Sequence, residues 1–205
     1  WYLMKKFFSN IKSIFMIIGG LFLILLSTCG VFSKKHLHGE ELLKLSDDKL
    51  FETVYLQTLD LVDSFADEEA ALAQFSPVQR TVYILSIYDM EIQNGGLCQF
   101  FVNSSRSLAP YVEQCLKTVE AEAHNQLFAE FVTNNQLDLH NLDSFEINDV
   151  AEYAAQAERY NFDAFDNAYY ELTPLQEYIV AYIKANIAEF WHNSGVKFTP
   201  LVFFV

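Results

Sequence analysis

The chain has few basic residues. It contains 13 Lys and Arg against 27 Asp and Glu, and five of the Lys lie in residues 1–35, where there is no acid. The remaining 8 bases (13 minus 5) therefore face all 27 acids, a net charge of −19 for residues 36–205. A surface of this charge repels nucleic acid and anionic lipid and attracts basic partners, although the same charge also keeps a protein soluble.

Motifs of catalysis and nucleotide binding are missing as well. The sequence has no GxSxG, no P-loop and no GxGxxG. Glu189 and His192 form a single Glu-x-x-His, whereas a di-iron bundle needs two such pairs and two further Glu. His36 and His38 are an isolated pair. We therefore predict a non-enzymatic protein without a metal or a cofactor.

Two of the three cysteines also lack a chemical pattern. Cys98 and Cys115 belong to no CxxC or Cys/His arrangement, which makes a zinc site improbable. We expect two buried free thiols; in an exported protein a disulfide between them is the alternative.

One long apolar run is present. Residues 13–33, a stretch of 21, carry no charge, a length that suffices to cross a bilayer. Leu26-Ser27-Thr28-Cys29 is similar to a bacterial lipobox, in which Cys29 is lipidated after signal cleavage. We predict that residues 1–35 are a signal peptide or membrane anchor, that the protein is membrane-associated in a bacterium, and that the Lys distribution favours an exported body.

The rest of the chain has the apolar spacing of helices and predicts an all-α fold. We expect a connector at residues 36–45, a single compact helical domain at residues 46–195 and an apolar tail at residues 196–205. Caps at Ser46, Ser76-Pro77, Pro110 and Thr173-Pro174 open the predicted helices 49–65, 77–93, 111–123 and 174–194. Asn94-Gly95-Gly96 is typical of a helix stop, Asn134-Asn135 ends a further helical run, and residues 138–148 look irregular.

Acidic residues are concentrated in the second half. Residues 138–177 contain ten acids and one base, Arg159, a net charge of −9 over 40 residues. If the run from residue 143 to residue 152 were helical, its charges would recur about every 4.5 Å, close to the ~3.4 Å spacing of phosphates on one DNA strand. We predict a partner-binding acidic face made of Asp143, Glu146, Asp149, Glu152, Glu158, Asp163, Asp166 and Glu171.

A second pattern lies before this segment. Its residues are Glu91, Asn94, Gly95, Gly96, Gln99, Phe100, Phe101, Asn103 and Ser104. The pattern resembles the signature of the bacterial DNA-mimic protein family, acidic all-helical proteins of the nineteen-kilodalton type, and the resemblance covers approximately residues 46–193. It implies a fold without known catalysis, and a carboxylate surface that occupies the DNA-binding face of a transcription regulator, in the type member as a dimer.

Within this resemblance the second pattern is interpreted as architecture, and a ligand pocket is the alternative. Gly95 and Gly96 turn the chain, Phe100 and Phe101 enter the core, and the amides of Asn94, Gln99 and Asn103 satisfy backbone groups that the broken helix exposes.

Three functions remain open. The first is an acidic protein-binding module whose partner is a basic protein such as a DNA-binding regulator, with no direct contact to nucleic acid, as a monomer or a homodimer. The second is a membrane-anchored or lipid-anchored envelope protein that uses the same helical scaffold for another protein interaction. The third is an enzyme of unrecognised type.

Overall fold

The computed structural model describes residue 37 and residues 39–190. Within that part the chain is helical and has no strand, which confirms the predicted all-α class. The α-helices there are α1 (Asp47–Val62), α2 (Glu68–Gln74), α3 (Pro77–Val102), α4 (Ala109–Thr118), α5 (Glu122–Asn134), α6 (Val150–Arg159), α7 (Phe162–Glu171) and α8 (Leu175–Ala185). Short 3₁₀ helices lie at Gly39–Lys44, Ser104–Leu108, Asp143–Phe145 and Ile187–Glu189.

Several predictions fall outside the described residues. These are the signal peptide or anchor at residues 1–35, the lipidation of Cys29 and the apolar tail at residues 196–205. In the part of the chain that the structure describes, no helix combines the length and the apolar character needed to span a bilayer.

Helix α3 is the centre of the fold. Sixteen of its 26 residues are buried, and α1, α4, α7 and α8 pack against it. It begins with a reciprocal cap: the N–H of Gln79 donates to Ser76 Oγ at 3.2 Å, and the N–H of Ser76 donates to Gln79 Oε1 at 3.0 Å. Pro77 follows at the first helical position, where its missing N–H costs nothing. The predicted start of this helix is confirmed.

Aromatic rings fill the core between α3, α5 and α7. The ring of Phe101 stacks on that of Phe145 with centroids 4.9 Å apart, and it also packs on Phe128 and Phe131 of α5 and on Phe162 of α7. Phe101, Phe128 and Phe145 are fully buried. Burying a ring of this size stabilises the fold by about 1.5–3 kcal/mol, so this aromatic cluster ties the three helices together.

The two body cysteines are buried free thiols, as predicted. Burial raises the pKa of Cys98 and that of Cys115 to about 11. Because the thiolate is the reactive form, both side chains behave as small apolar groups at neutral pH.

The predicted helix 111–123 is too long. Helix α4 ends at Thr118, where Glu120 adopts a left-handed φ of 61°. The N–H of Ala121 donates to the carbonyl of Leu116 at 3.0 Å, and the N–H of Glu120 donates to that of Lys117 at 3.1 Å. These two bonds form a Schellman C-cap in which Glu takes the place usually held by Gly.

The predicted final helix is also too long, because α8 ends at Ala185 rather than near residue 194. The next residue, Asn186, leaves the helical region with φ −119° and ψ 27°. Its side-chain amide donates to the carbonyl of Tyr182 at 2.9 Å. A side chain that binds a nearby backbone carbonyl competes with continued helix, and a 3₁₀ turn follows.

Candidate partner-binding surface and the helix break

Helix α3 is broken at Gly96. This residue has φ 81° and ψ 176°, a conformation that only glycine adopts without strain. The N–H of Leu97, next in the chain, donates to Asp166 Oδ1 at 2.9 Å. A Cβ atom at position 96 would collide with this carboxylate. The predicted helix stop is therefore a kink, because helix resumes at Leu97 with Asp166 as its cap.

The carboxylate of Glu91 joins the two sides of the kink. Gln99 Nε2 donates to Glu91 Oε2 at 2.6 Å, and Asn103 Nδ2 donates to the same oxygen at 2.9 Å. Ser105 Oγ donates to Glu91 Oε1 at 3.0 Å. Glu91 precedes the break and its three partners follow it, so this Glu91 clamp fixes the angle between the two helical segments.

The Glu91 clamp differs from the role predicted for the amides of Asn94, Gln99 and Asn103. Gln99 and Asn103 donate to the Glu91 carboxylate, not to backbone groups of the broken helix, and Asn94 is exposed. The backbone N–H freed by the break is instead bound by Asp166. Phe100 and Phe101 are fully buried. Ser104 is exposed and begins a 3₁₀ helix, in which its carbonyl accepts a hydrogen bond from Ser107 Oγ at 2.9 Å.

Seven of the eight carboxylates predicted for the acidic face are exposed. They are Asp143, Glu146, Asp149, Glu152, Glu158, Asp163 and Glu171. The eighth, Asp166, is half-buried at the α3 kink. Its Oδ1 accepts the hydrogen bond from the N–H of Leu97, so this carboxylate stabilises the fold. The seven exposed residues are called the acidic surface below.

The acidic surface is built from more than one element. Residues 143–152 are not one helix, since a 3₁₀ turn and an irregular connection precede α6, and the regular 4.5 Å charge spacing does not apply. Asp149 caps α6 by accepting from the N–H groups of Ala151 and Glu152 at 2.8 and 2.9 Å. Glu152 accepts from the N–H of Asn148 at 2.6 Å. Both carboxylates are thus held at a helix N-terminus, where negative charge is favourable.

Nearby cations do not neutralise the acidic surface. Among the described residues, none of its seven carboxylates forms an ion pair; the described pairs, all outside residues 138–177, are Lys49–Glu52, Lys117–Glu113 and Lys184–Asp47. Arg159, the base within the segment, lies over the ring of Tyr160 with Cζ 5.3 Å from the ring centroid. The charge of the segment is therefore available to a partner.

Negative charge is denser here than in the preceding part of the body. Residues 39–137 contain 16 acids and 5 bases, a net charge of −11 over 99 residues. Residues 138–177 carry −9 over 40 residues, about twice as much per residue. In the described part of the chain, no three His, Cys, Asp or Glu side chains gather as a possible metal site. The acidic surface is thus suited to electrostatic binding.

The sequence model of the DMP19-like protein family matches residues 73–186, which is 114 of 205 residues. The chain belongs to the DMP19-like protein family. The match begins just before α3 and ends at the C-cap of α8, so it includes both the helix break and the acidic surface. The predicted resemblance to DNA-mimic proteins is confirmed, and the DMP19-like family is not known as an enzyme family. No curated protein matches the sequence, and no solved structure matches the chain.

Proposed function

We propose that this DMP19-like protein is a non-enzymatic module whose acidic surface binds the basic, DNA-binding face of another protein. The observation that carries the proposal is the lack of an ion pair at any of its seven carboxylates within the described residues. Unpaired, exposed charges retain their attraction for an incoming cation, whereas paired ones are already screened by their neighbours.

The way these carboxylates are held also supports the proposal. Asp149 and Glu152 are fixed by backbone N–H groups, and Asp163 and Glu171 are eight residues apart on α7. Eight residues correspond to about 12 Å along a helix axis and to a rotation that leaves both side chains within about 80° of each other. A fixed array of anions on a folded surface would match the arginines and lysines that normally contact DNA phosphates.

The partner is a protein and not DNA itself. Residues 36–205 carry a net charge of −19, which opposes approach to a phosphate backbone of the same sign. The same charge accelerates encounter with a basic surface and makes the complex sensitive to salt.

Affinity capture from a lysate with two matched variants tests the proposal. One variant neutralises the acidic surface with Glu158→Gln, Asp163→Asn and Glu171→Gln. The other makes the same chemical changes at exposed acids elsewhere, with Asp63→Asn, Glu69→Gln and Glu130→Gln. A DNA-binding protein captured by the wild type and by the second variant, but lost with the first, supports the proposal; equal capture by all three contradicts it.

The uncharged run at residues 13–33 favours a second role. An anchored or lipidated protein with an exported body would use the same scaffold for a partner in the cell envelope. Protease treatment of intact spheroplasts separates the two roles. Digestion of the body would contradict binding to a cytoplasmic regulator, while full protection would contradict the envelope role.

A further inference from the structure

A cleft of about 440 Å³ lies between the start of α3, the outer part of α4 and α8. Its volume falls in the range of binding sites for small molecules. Residues from three helices meet in it, and those used below are Pro77, Arg80, Thr81, Tyr111, Cys115 and Tyr182. None of them belongs to the acidic surface.

The cleft contains a cation without a counter-ion. Arg80 is half-buried, and it makes no ion pair within the described residues although the chain has 27 acids. Its Nε and Nη2 donate to the carbonyl of Leu72 at 3.1 and 2.6 Å, which holds the guanidinium in place. These bonds leave Nη1 for a further acceptor. A fixed guanidinium at a partly dehydrated site is well suited to a carboxylate ligand.

The remaining lining is amphipathic. The Thr81 hydroxyl, which donates to the carbonyl of Pro77 at 2.9 Å, lines the cleft beside Arg80, together with the thiol of Cys115 and the ring of Tyr182. Pro77 and Tyr111, both exposed, supply accessible apolar surface to the same cleft. One end can therefore bind a polar head and the other an apolar body. Burial raises the pKa of the Cys115 thiol to about 11, so the neutral thiol is a poor nucleophile and the site is suited to reversible binding.

We propose that this cleft binds a small monocarboxylate with an apolar body, such as an aryl-alkanoate. The carboxylate lies on the Arg80 guanidinium, and the body lies against Pro77 and Tyr111. Arg80 is the basic residue among those that line the cleft, and the molecule around it is strongly acidic. The site therefore selects a ligand with one negative charge, because further anionic groups on the ligand would be repelled. The apolar lining excludes inorganic phosphate and other anions that have no apolar part.

Isothermal titration calorimetry with 4-phenylbutyrate and with neutral 4-phenylbutan-1-ol tests this site. We expect a dissociation constant on the order of 0.1–1 mM for the acid, and binding of the alcohol at least about tenfold weaker. Arg80→Gln removes the preference for the acid, whereas Arg80→Lys retains part of it. Thr118→Trp, an exposed position at the edge of the cleft, blocks both compounds.

Arg106 provides the matched control. It is also a half-buried arginine that donates to backbone carbonyls, Val102 and Asn103, but it lies outside this cleft. Arg106→Gln leaves acid binding unchanged. The proposal is overturned if 4-phenylbutyrate does not bind, if acid and alcohol bind equally, or if Arg106→Gln weakens binding as much as Arg80→Gln does. If Arg80→Gln does not fold, the acid and alcohol comparison and Thr118→Trp still decide.

Discussion

Asp166 Oδ1 accepts a hydrogen bond of 2.9 Å from the backbone N–H of Leu97, 69 positions earlier in the chain. This contact places α7 on the kink of α3 and connects the glycine pattern with the acidic segment. It also divides the predicted acidic face into two kinds of carboxylate. Asp166 completes the fold, and the exposed residues of the acidic surface remain available for binding.

The first prediction concerns the kink. Gly96→Ala forces a side chain into a left-handed conformation and against Asp166, so we expect a loss of about 2–4 kcal/mol in the free energy of unfolding. Gly95→Ala is the comparison, because its backbone is not left-handed and its Cβ would meet one side chain, that of Gln99; we expect a smaller loss than for Gly96→Ala. Urea unfolding measures both. Equal losses would show that the backbone at position 96 is not constrained as described.

The division between Asp166 and the acidic surface can be tested with two aspartates of the same helix. Asp166→Ala leaves the N–H of Leu97 without an acceptor, and we expect a loss of about 1–3 kcal/mol in stability. Asp163→Ala removes an exposed charge from the first turn of α7, at a cost of less than about 1 kcal/mol. Thermal unfolding of both variants is the measurement. A larger loss for Asp163→Ala would reverse the assignment.

The Glu91 clamp gives a third prediction. Glu91→Gln weakens three hydrogen bonds to a charged acceptor across the kink, and we expect a loss of about 1–2 kcal/mol. Asn94→Ala at the exposed position beside the kink changes stability by less than about 0.5 kcal/mol. Chemical denaturation of the two variants compares them. A large loss for Asn94→Ala would mean that the Asn94 amide does satisfy backbone groups exposed by the break, as the sequence predicts.

The pH dependence of stability supplies a fourth prediction. His124 is buried between the rings of Tyr169 and Tyr178, and burial lowers its pKa to about 4 from an ordinary 6.5. Between these values the unfolded chain binds the proton and the folded chain does not, so stability falls as the pH decreases. Burial raises the pKa of Asp89, so the folded chain binds this proton more readily than the unfolded chain does, and protonation of Asp89 increases stability as the pH decreases.

We expect His124 to contribute about 1–2 kcal/mol of lost stability between pH 7 and pH 5. His124→Leu removes that part of the loss, because leucine binds no proton in either state. Urea unfolding at both pH values, for wild type and variant, measures the difference. An equal decrease in the two proteins would mean that His124 does not determine the acid sensitivity.

Helix class and several boundaries were predictable from local signals alone. Ser76 followed by Pro77 and Gln79 carries its own start signal, and the cap that forms uses only those residues. The break at Asn134-Asn135 is likewise local, since α5 ends at Asn134. Such features depend on neighbours within four residues, which a sequence displays directly.

Other features depend on distant contacts or on residues in unusual roles. Glu120 and Gln136 both adopt left-handed φ angles at helix ends, 61° and 52°, where the sequence signal would be glycine. The pairing of Asp166 with Leu97 has no local mark, because nothing in a run of acids distinguishes the one that faces the core. The hydrogen bond from Ser105 to Glu91 was missed because its partner lies 14 residues earlier, beyond the helix break.

The central claim is that the acidic surface takes the place of DNA on a partner, and a competition titration tests it most directly. Binding of a captured DNA-binding protein to the DMP19-like protein is measured with increasing amounts of its duplex DNA and at several salt concentrations. We expect mutually exclusive binding, affinity that falls steeply with salt, and at least a tenfold loss for the Glu158, Asp163 and Glu171 neutralised variant with unchanged thermal stability. A stable ternary complex with DNA, or unchanged affinity of that variant, would contradict the account.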